Sequence, residues 1–205
     1  MKAFVINLDN RPDRLKIFNE TFKQFDITRE LAVCVTKISP ELKKRVNEWN
    51  FKNLSDKKTK GVVGCCMSHL NIWEKISKMN ENVIVFEDDC TFINENVKEN
   101  FENYFNSLIF PKDFGIIWLN GEVSDKPGKQ INNDFTIIPH QNSKTTESYI
   151  ITPSFAKELY LFITNNIGAV DAHMGYYIKT TFNKSYKLNN PFFCQINRND
   201  TNIQV

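Results

Sequence analysis

The 205-residue sequence predicts an α/β fold, with a mostly parallel central sheet flanked by helices in a single domain. Three observations predict it. Short apolar runs rich in β-branched residues, bounded by polar turns, recur along the chain and read as buried strands. Stretches with apolar residues at helical spacing lie between them and read as amphipathic helices. With 41% hydrophobic residues, 17 of all residues being Phe, the chain can fill a substantial core on both sides of a sheet.

The elements follow in order. Residues 3–8 form a first strand, and the polar turn over residues 9–14 leads into a helix that Asp9 or Asn10 is placed to cap. Leu15, Phe18, Phe22 and Phe25 give that helix one apolar face. Residues 31–35 read as a second short strand, and residues 40–51 as a helix facing inward through Leu42, Val46 and Trp49. Residues 55–60 are basic and polar, hence an exposed loop. The segment opened by Gly61 and Gly64 carries Cys65, Met67, Leu70, Ile72, Trp73 and Ile76 and reads as a buried helix.

Val83-Ile84-Val85-Phe86 is a buried strand running directly into Glu87-Asp88-Asp89. Val97, Phe101, Tyr104, Phe105 and Leu108 mark a further helix, and residues 116–119 a further buried strand. Residues 122–133 are a polar loop with Pro127 and Gly128. Residues 149–151 form a short strand, Pro153 opens a helix carrying Phe155, Leu159 and Phe162, and residues 171–182 return to helical spacing. Residues 191–196 are apolar. No repeat or long linker divides the chain.

Charge and cysteine content exclude several classes. Lys and Arg (26) nearly balance Asp and Glu (24), so a mainly electrostatic nucleic-acid binder is not expected. The first residues turn polar at Asn7, too soon for a secretory leader, and no run has the length of a transmembrane segment. Five cysteines, with Cys65 and Cys66 adjacent, read as reduced and mostly buried thiols. The expected location is therefore the cytoplasm, or the periphery of a membrane.

The acidic trio carries the chemistry. Three carboxylates at the end of a buried strand repel one another, so folding alone does not account for them. A hard divalent cation held through oxygen relieves that repulsion, and the carboxyl end of a strand is where an open α/β sheet binds ligands. The pattern points to a metal–phosphate site; the alternative is a solvated acidic loop. Asn7, Arg11 and Arg14 stand at the carboxyl end of the first strand, either to grip a phosphate or as solvated turn residues.

Several segments line up with a known family in the same order. Val5-Ile6-Asn7-Leu8-Asp9-Asn10-Arg11-Pro12-Asp13-Arg14-Leu15 resembles the N-terminal signature of glycosyltransferase family 25. Gly61-Val62-Val63-Gly64-Cys65-Cys66-Met67-Ser68-His69-Leu70 is similar to its central segment, and Phe86-Glu87-Asp88-Asp89 to its Glu-Asp-Asp motif. Residues 146–159 and the pair Val170-Asp171 match later pieces. The chain departs from the family's pattern at Ala32-Val33-Cys34-Val35 and at Thr201-Asn202-Ile203.

The resemblance implies a GT-A-like single domain, with a nucleotide-sugar part over residues 1–120 and an acceptor side over 121–205. It further implies an inverting, metal-dependent transferase that moves galactose or glucose from a UDP-sugar to a glycan or hydroxylysine-type acceptor. Carboxylate ligands suit Mn²⁺ or Mg²⁺. Asp89, with Glu87, is the expected metal ligand. Asn7, Arg11, Arg14, Gly64, His69, Glu87 and Asp88 are the expected donor-binding residues, with Gly61 and Gly64 admitting the sugar nucleotide close to the backbone. Asp171 is the expected general base and Glu147 its reserve, with the helix-capping role of Asp171 as the alternative. The replaced acid at Asn202 leaves a second reading open, a degenerate relative that binds without turnover.

Overall fold

A computed structural model describes residues 1–46, 57–121, 128–137, 146–180 and 185–196. Strand β1 (Lys2–Asn7) is followed by α1 (Pro12–Thr21), β2 (Asp26–Leu31), α2 (Pro40–Arg45) and the long helix α3 (Lys57–Ile76). Then come β3 (Val83–Glu87), β4 (Cys90–Phe92), α4 (Glu95–Ser107), β5 (Ile116–Trp118), β6 (Lys129–Gln130) and β7 (Phe135–Ile137). The described chain finishes with β8 (Ser148–Ile151), α5 (Pro153–Ile163), α6 (Val170–Thr180), β9 (Ser185–Leu188) and β10 (Phe193–Gln195).

The main sheet has the order β2-β1-β3-β8-β5-β9-β7-β6. Strands β2, β1, β3, β5, β9 and β6 share one direction, while β8 and β7 run against it, so the expected mostly parallel α/β sheet is present. A separate antiparallel pair, β4 and β10, follows the acidic trio. The sheet is continuous across both expected functional parts, because β8 inserts between β3 and β5.

Alternation along the central strands divides the core. Ile84, Phe86, Ile117 and Ile150 face α1 and α4, together with Phe18, Phe22, Phe92, Phe101 and Phe193. Val83, Val85, Ile116, Trp118, Tyr149 and Ile151 face α3, α5 and α6. Local signals set the helix starts. Asn94 Oδ1 accepts from Val97 N at 2.9 Å to cap α4, Thr152 Oγ1 accepts from Phe155 N at 3.2 Å to cap α5, and Pro153 occupies the first turn.

Five local expectations need correction. The helix expected over residues 40–51 ends at Arg45, where Val46 becomes extended and bridges to Ile167. Arg11, not Asp9 or Asn10, is the N-cap of α1, and no side chain caps that end. The second strand lies at Asp26–Leu31, earlier than the apolar residues 31–35, because those apolar side chains line a cleft instead. Residues 57–60 of the expected loop form the first turn of α3, with Thr59 buried. Lys129–Gln130 of the expected polar loop pairs with β7 as an edge strand. Trp49 and Phe182 lie outside the described residues. Among the described residues no helix is long and apolar enough to cross a membrane, and all five cysteines are unpaired thiols.

Candidate active site

The parallel pairing of β1 with β3 puts Ile6 beside Glu87. One residue further on, Asn7 meets Asp88: its Nδ2 donates to Asp88 Oδ2 at 2.7 Å and to the Arg11 carbonyl at 2.9 Å. Arg14, one turn into α1, swings back over the strand end. Its Nη1 lies 3.1 Å from Asp88 Oδ1 and 3.8 Å from Asp89 Oδ2. The polar turn after β1 thus aims a guanidinium at the trio, where a charge-assisted bond is strongest.

Glu87 is held from behind. Thr146 Oγ1 donates to its Oε1, and His69 Nε2 sits 3.3 Å from the same oxygen. His69 is fully buried, and its Nδ1 is 2.8 Å from the Tyr149 hydroxyl, which accepts the Trp73 indole N–H at 3.0 Å. An ionised Glu87 requires a proton on Nε2, so in the neutral ring Nδ1 accepts the Tyr149 hydroxyl. His69 therefore braces the acidic strand. Asp89 is approached from the small second sheet, where Gln195 Nε2 donates to its Oδ2 at 2.8 Å.

These partners divide the three acids electrostatically. Burial pushes Glu87 up, but hydrogen bonds from His69 and Thr146, with the Arg14 charge, bring it below the usual carboxylate range. Burial raises Asp88, against the hydrogen bond from Asn7 and the charge of Arg14. Asp89 is pushed up to about 7, first by burial and then by the Glu87 charge, with Gln195 opposing. Asp89 is 7% exposed, and its Oδ1 accepts no hydrogen bond among the described residues; the same holds for the buried Asn7 Oδ1. A buried, repelled carboxylate oxygen with no donor suits an oxygen-seeking divalent cation.

The trio opens into a cleft of about 680 Å³, a volume suited to a nucleotide-sized ligand. Asn10, Arg14, Ala32, Val35, Lys57, Lys60, Gly61, Cys65, Ser68, His69, Thr146 and Gln195 contribute to its walls. Asp171 lines the same cleft from the first turn of α6. Its Oδ1 accepts the Ala172 N–H at 2.8 Å, but Asp171 lies inside the first turn of α6 and is not its N-cap. Burial raises the Asp171 carboxyl, the Ala172 bond opposes this, and the Glu87 charge adds to it.

Four expected site residues are placed otherwise. Asn7 turns to Asp88 and is not among the cleft-lining residues. Gly64 lies within α3, and a Cβ there would stand 2.4 Å from the Val33 carbonyl oxygen. The close approach it permits is to the chain's own backbone, which Ser68 pins by accepting from Val33 N and donating to Gly64 O. Gly61, one turn earlier, does line the cleft. Glu147 is buried, its charge bears on the thiols of Cys90 and Cys194, and it is not among the cleft-lining residues. Arg11 turns to Asp13, with Nε 3.1 Å from Oδ1 and Nη2 2.9 Å from Oδ2.

Sequence reasoning missed Thr146, Tyr149 and Gln195 as site residues, and Cys65 as a cleft residue. Cys65 had a signal, since Cys65 and His69 stand four apart on one helical face. Gln195 had a weaker one, a polar residue ending an apolar run.

Comparison with known proteins bears on this geometry. The sequence profile of glycosyltransferase family 25 (LPS biosynthesis protein) matches residues 1–174. Procollagen galactosyltransferase 1-A of Xenopus laevis is 30% identical over 77% of this chain and 28% of its own length. Inactive glycosyltransferase 25 family member 3 of Mus musculus is 29% identical over 64% of this chain and 22% of its own. The chain thus spans less than a third of either relative. The apo structure of mouse xyloside xylosyltransferase 1 overlays with a TM-score of 0.37 at 12% identity, over 86% of this chain and 80% of that one, which is too distant to build on. With its profile match covering most of the sequence, the chain belongs to glycosyltransferase family 25.

Proposed function

We propose that the chain is an inverting, metal-dependent hexosyltransferase that uses a UDP-sugar donor. One observation carries this reading: the orphaned Asp89 Oδ1 at the carboxyl end of β3, in a nucleotide-sized cleft that also holds Asp171. Asp89 with Glu87 would hold Mn²⁺ or Mg²⁺, which when bound supplies Lewis-acid stabilisation to the departing diphosphate. Arg14, Lys57 and Lys60 meet the remaining diphosphate charge, at the end where α3 begins. Asn7 and His69 act at one remove, holding Asp88 and Glu87 in place.

Asp171 accepts the proton of the acceptor hydroxyl as that oxygen attacks the anomeric carbon. Its raised affinity for protons improves it as a base. The division of labour follows the cleft: residues before 120 hold the donor, and Thr146, Ala169, Val170 and Asp171 come from the acceptor side. Relatives that carry the word galactosyltransferase favour galactose, and a procollagen acceptor or a bacterial glycan both fit the family's description.

The test is UDP release from UDP-galactose and UDP-glucose, with Mn²⁺ and with water or an acceptor. Asp171→Asn should keep UDP affinity and lose about 10²–10⁴-fold in turnover, the range of a positioned general base. Near-normal turnover in that variant removes Asp171 from the role. UDP binding without turnover of either sugar favours a binding-only protein; the mouse relative is named inactive.

A further inference from the structure

We infer that Cys65, His69 and Glu87 form a second metal site in the same cleft, selective for zinc-class ions rather than Mn²⁺ or Mg²⁺. One ligand atom from each of the three lies within 4.8 Å of the others. Cys65 and His69 are four residues apart on α3, so both project from one helical face towards the end of β3. Glu87 Oε1 is 3.3 Å from His69 Nε2, the separation two donors have when they share one small cation.

The partners around His69 are ones a metal-binding histidine can use once its ring changes tautomer. The Tyr149 hydroxyl fixes the ring through Nδ1 at 2.8 Å and is itself fixed by Trp73 at 3.0 Å, leaving Nε2 directed at Glu87 and the cleft. Thr146 orients the Glu87 carboxylate in the same way. All three ligand residues line the cleft, so an ion can enter, and three protein ligands leave a position open to water or a small anion.

Glu87 is common to this site and the one at Asp89, so the remaining ligands tell the two apart and ions at them compete for that carboxylate. A thiolate and an imidazole favour Zn²⁺ or Co²⁺, whereas carboxylate oxygens favour Mn²⁺ and Mg²⁺. When the ion binds, the Cys65 Sγ–H bond breaks, its proton passes to buffer, and a metal–sulfur bond forms. The His69 ring changes tautomer, so that Nδ1–H donates to the Tyr149 oxygen and Nε2 binds the ion. No oxidation is involved, and the site does not depend on the transferase reading.

Cobalt is the probe. Co²⁺ added to the reduced, metal-free full chain should bind one per chain and give a thiolate-to-cobalt charge-transfer band in the near ultraviolet, displaced by Zn²⁺ and not by Mg²⁺. The band should vanish in Cys65→Ser and persist in Cys34→Ser and Asp89→Asn. Absence of the band in the unaltered chain, or its survival in Cys65→Ser, overturns the proposal. X-ray absorption of the zinc-loaded, unaltered chain needs no variant. One sulfur at about 2.3 Å with nitrogen and oxygen ligands supports the site, and a shell of nitrogen and oxygen alone overturns it. Manganese-dependent UDP binding, measured on the metal-free chain before cobalt or zinc is added, reads the transferase hypothesis separately.

Discussion

On the face of the sheet packed by α1 and α4, stability comes from stacked and tilted phenylalanine rings; on the face packed by α3, α5 and α6, apolar packing shares space with directional polar bonds. Phe22 alone has ring neighbours in Phe18, Phe25, Phe86, Phe92 and Phe193, with centroids 4.5–6.0 Å apart. The opposite face buries Trp73, Tyr149 and His69 in a chain of hydrogen bonds that ends on Glu87, and Ser68 in separate bonds to Val33 N and Gly64 O. Aromatic pairs are satisfied over a range of tilts and of centroid separations of several ångströms, whereas a buried hydrogen-bond chain fixes atoms to within a few tenths of an ångström. The difference teaches where the molecule gets its stability and where it gets its precision. The rings hold the strands, and the polar chain holds the carboxylates against their mutual repulsion.

Breaking the aromatic face should have the largest effect on folding. Phe22→Ala removes a fully buried ring and should cost about 3–5 kcal/mol in denaturant unfolding. UDP affinity of the remaining folded protein should stay close to that of the unaltered chain. A fall in affinity much larger than the folded fraction explains would join the two faces that the comparison keeps apart.

The second prediction concerns the polar face and pH. Asp89 moves from an unfolded value near 3.8 to about 7 in the folded chain, so the folded state binds more protons between those values. Its contribution to stability is therefore fully present below about 3.8 and is lost as pH rises through about 7. Stability of the metal-free chain, minus that of Asp89→Asn, should fall across this window, and adding Mn²⁺ should reduce the fall. Asp171, also raised, should act in the same direction over a narrower range. A difference that is flat or rises with pH contradicts the placement of Asp89.

A smaller effect sharpens the comparison from within α3. Gly64→Ala gains helix propensity of about 1 kcal/mol. It also drives a Cβ to 2.4 Å from the Val33 carbonyl, which is backbone and cannot rotate away. The overpacking cost of about 1–3 kcal/mol should win, and the displaced residues 32–35 should weaken UDP binding as well. A stabilised variant with unchanged affinity would show that this wall yields freely.

Much of this was legible in the sequence because strong local patterns agree with the fold. The run Val83–Glu87 has the apolar character of a strand buried on both faces, and it is one. Helices α4 and α5 announce themselves through apolar spacing, and α5 also through Pro153; their caps Asn94 and Thr152 emerge only in the structure. The short strands β4, β7 and β9 did not announce themselves, since three or four residues carry no period and each is completed by a partner distant in the chain. Strand β2 is a polar edge strand whose exposed side chains resemble a loop.

In the site, the acidic trio was readable because three adjacent carboxylates have no folding purpose in common, whereas Arg14 stood out only through the family resemblance. The role of Gly64 was not, because a glycine that admits a ligand and one that admits the chain's own backbone are identical in sequence. Gln195 and Thr146 come from far along the chain, and only the tertiary fold brings them to Asp89 and Glu87.

The most direct test of the central claim is calorimetric titration of UDP into the unaltered chain and into Asp89→Asn, each with and without Mn²⁺. The account requires tight, manganese-dependent binding to the unaltered chain and its loss in the variant, with far-ultraviolet circular dichroism unchanged. Equal UDP affinity in the two proteins, or affinity indifferent to Mn²⁺, would contradict it.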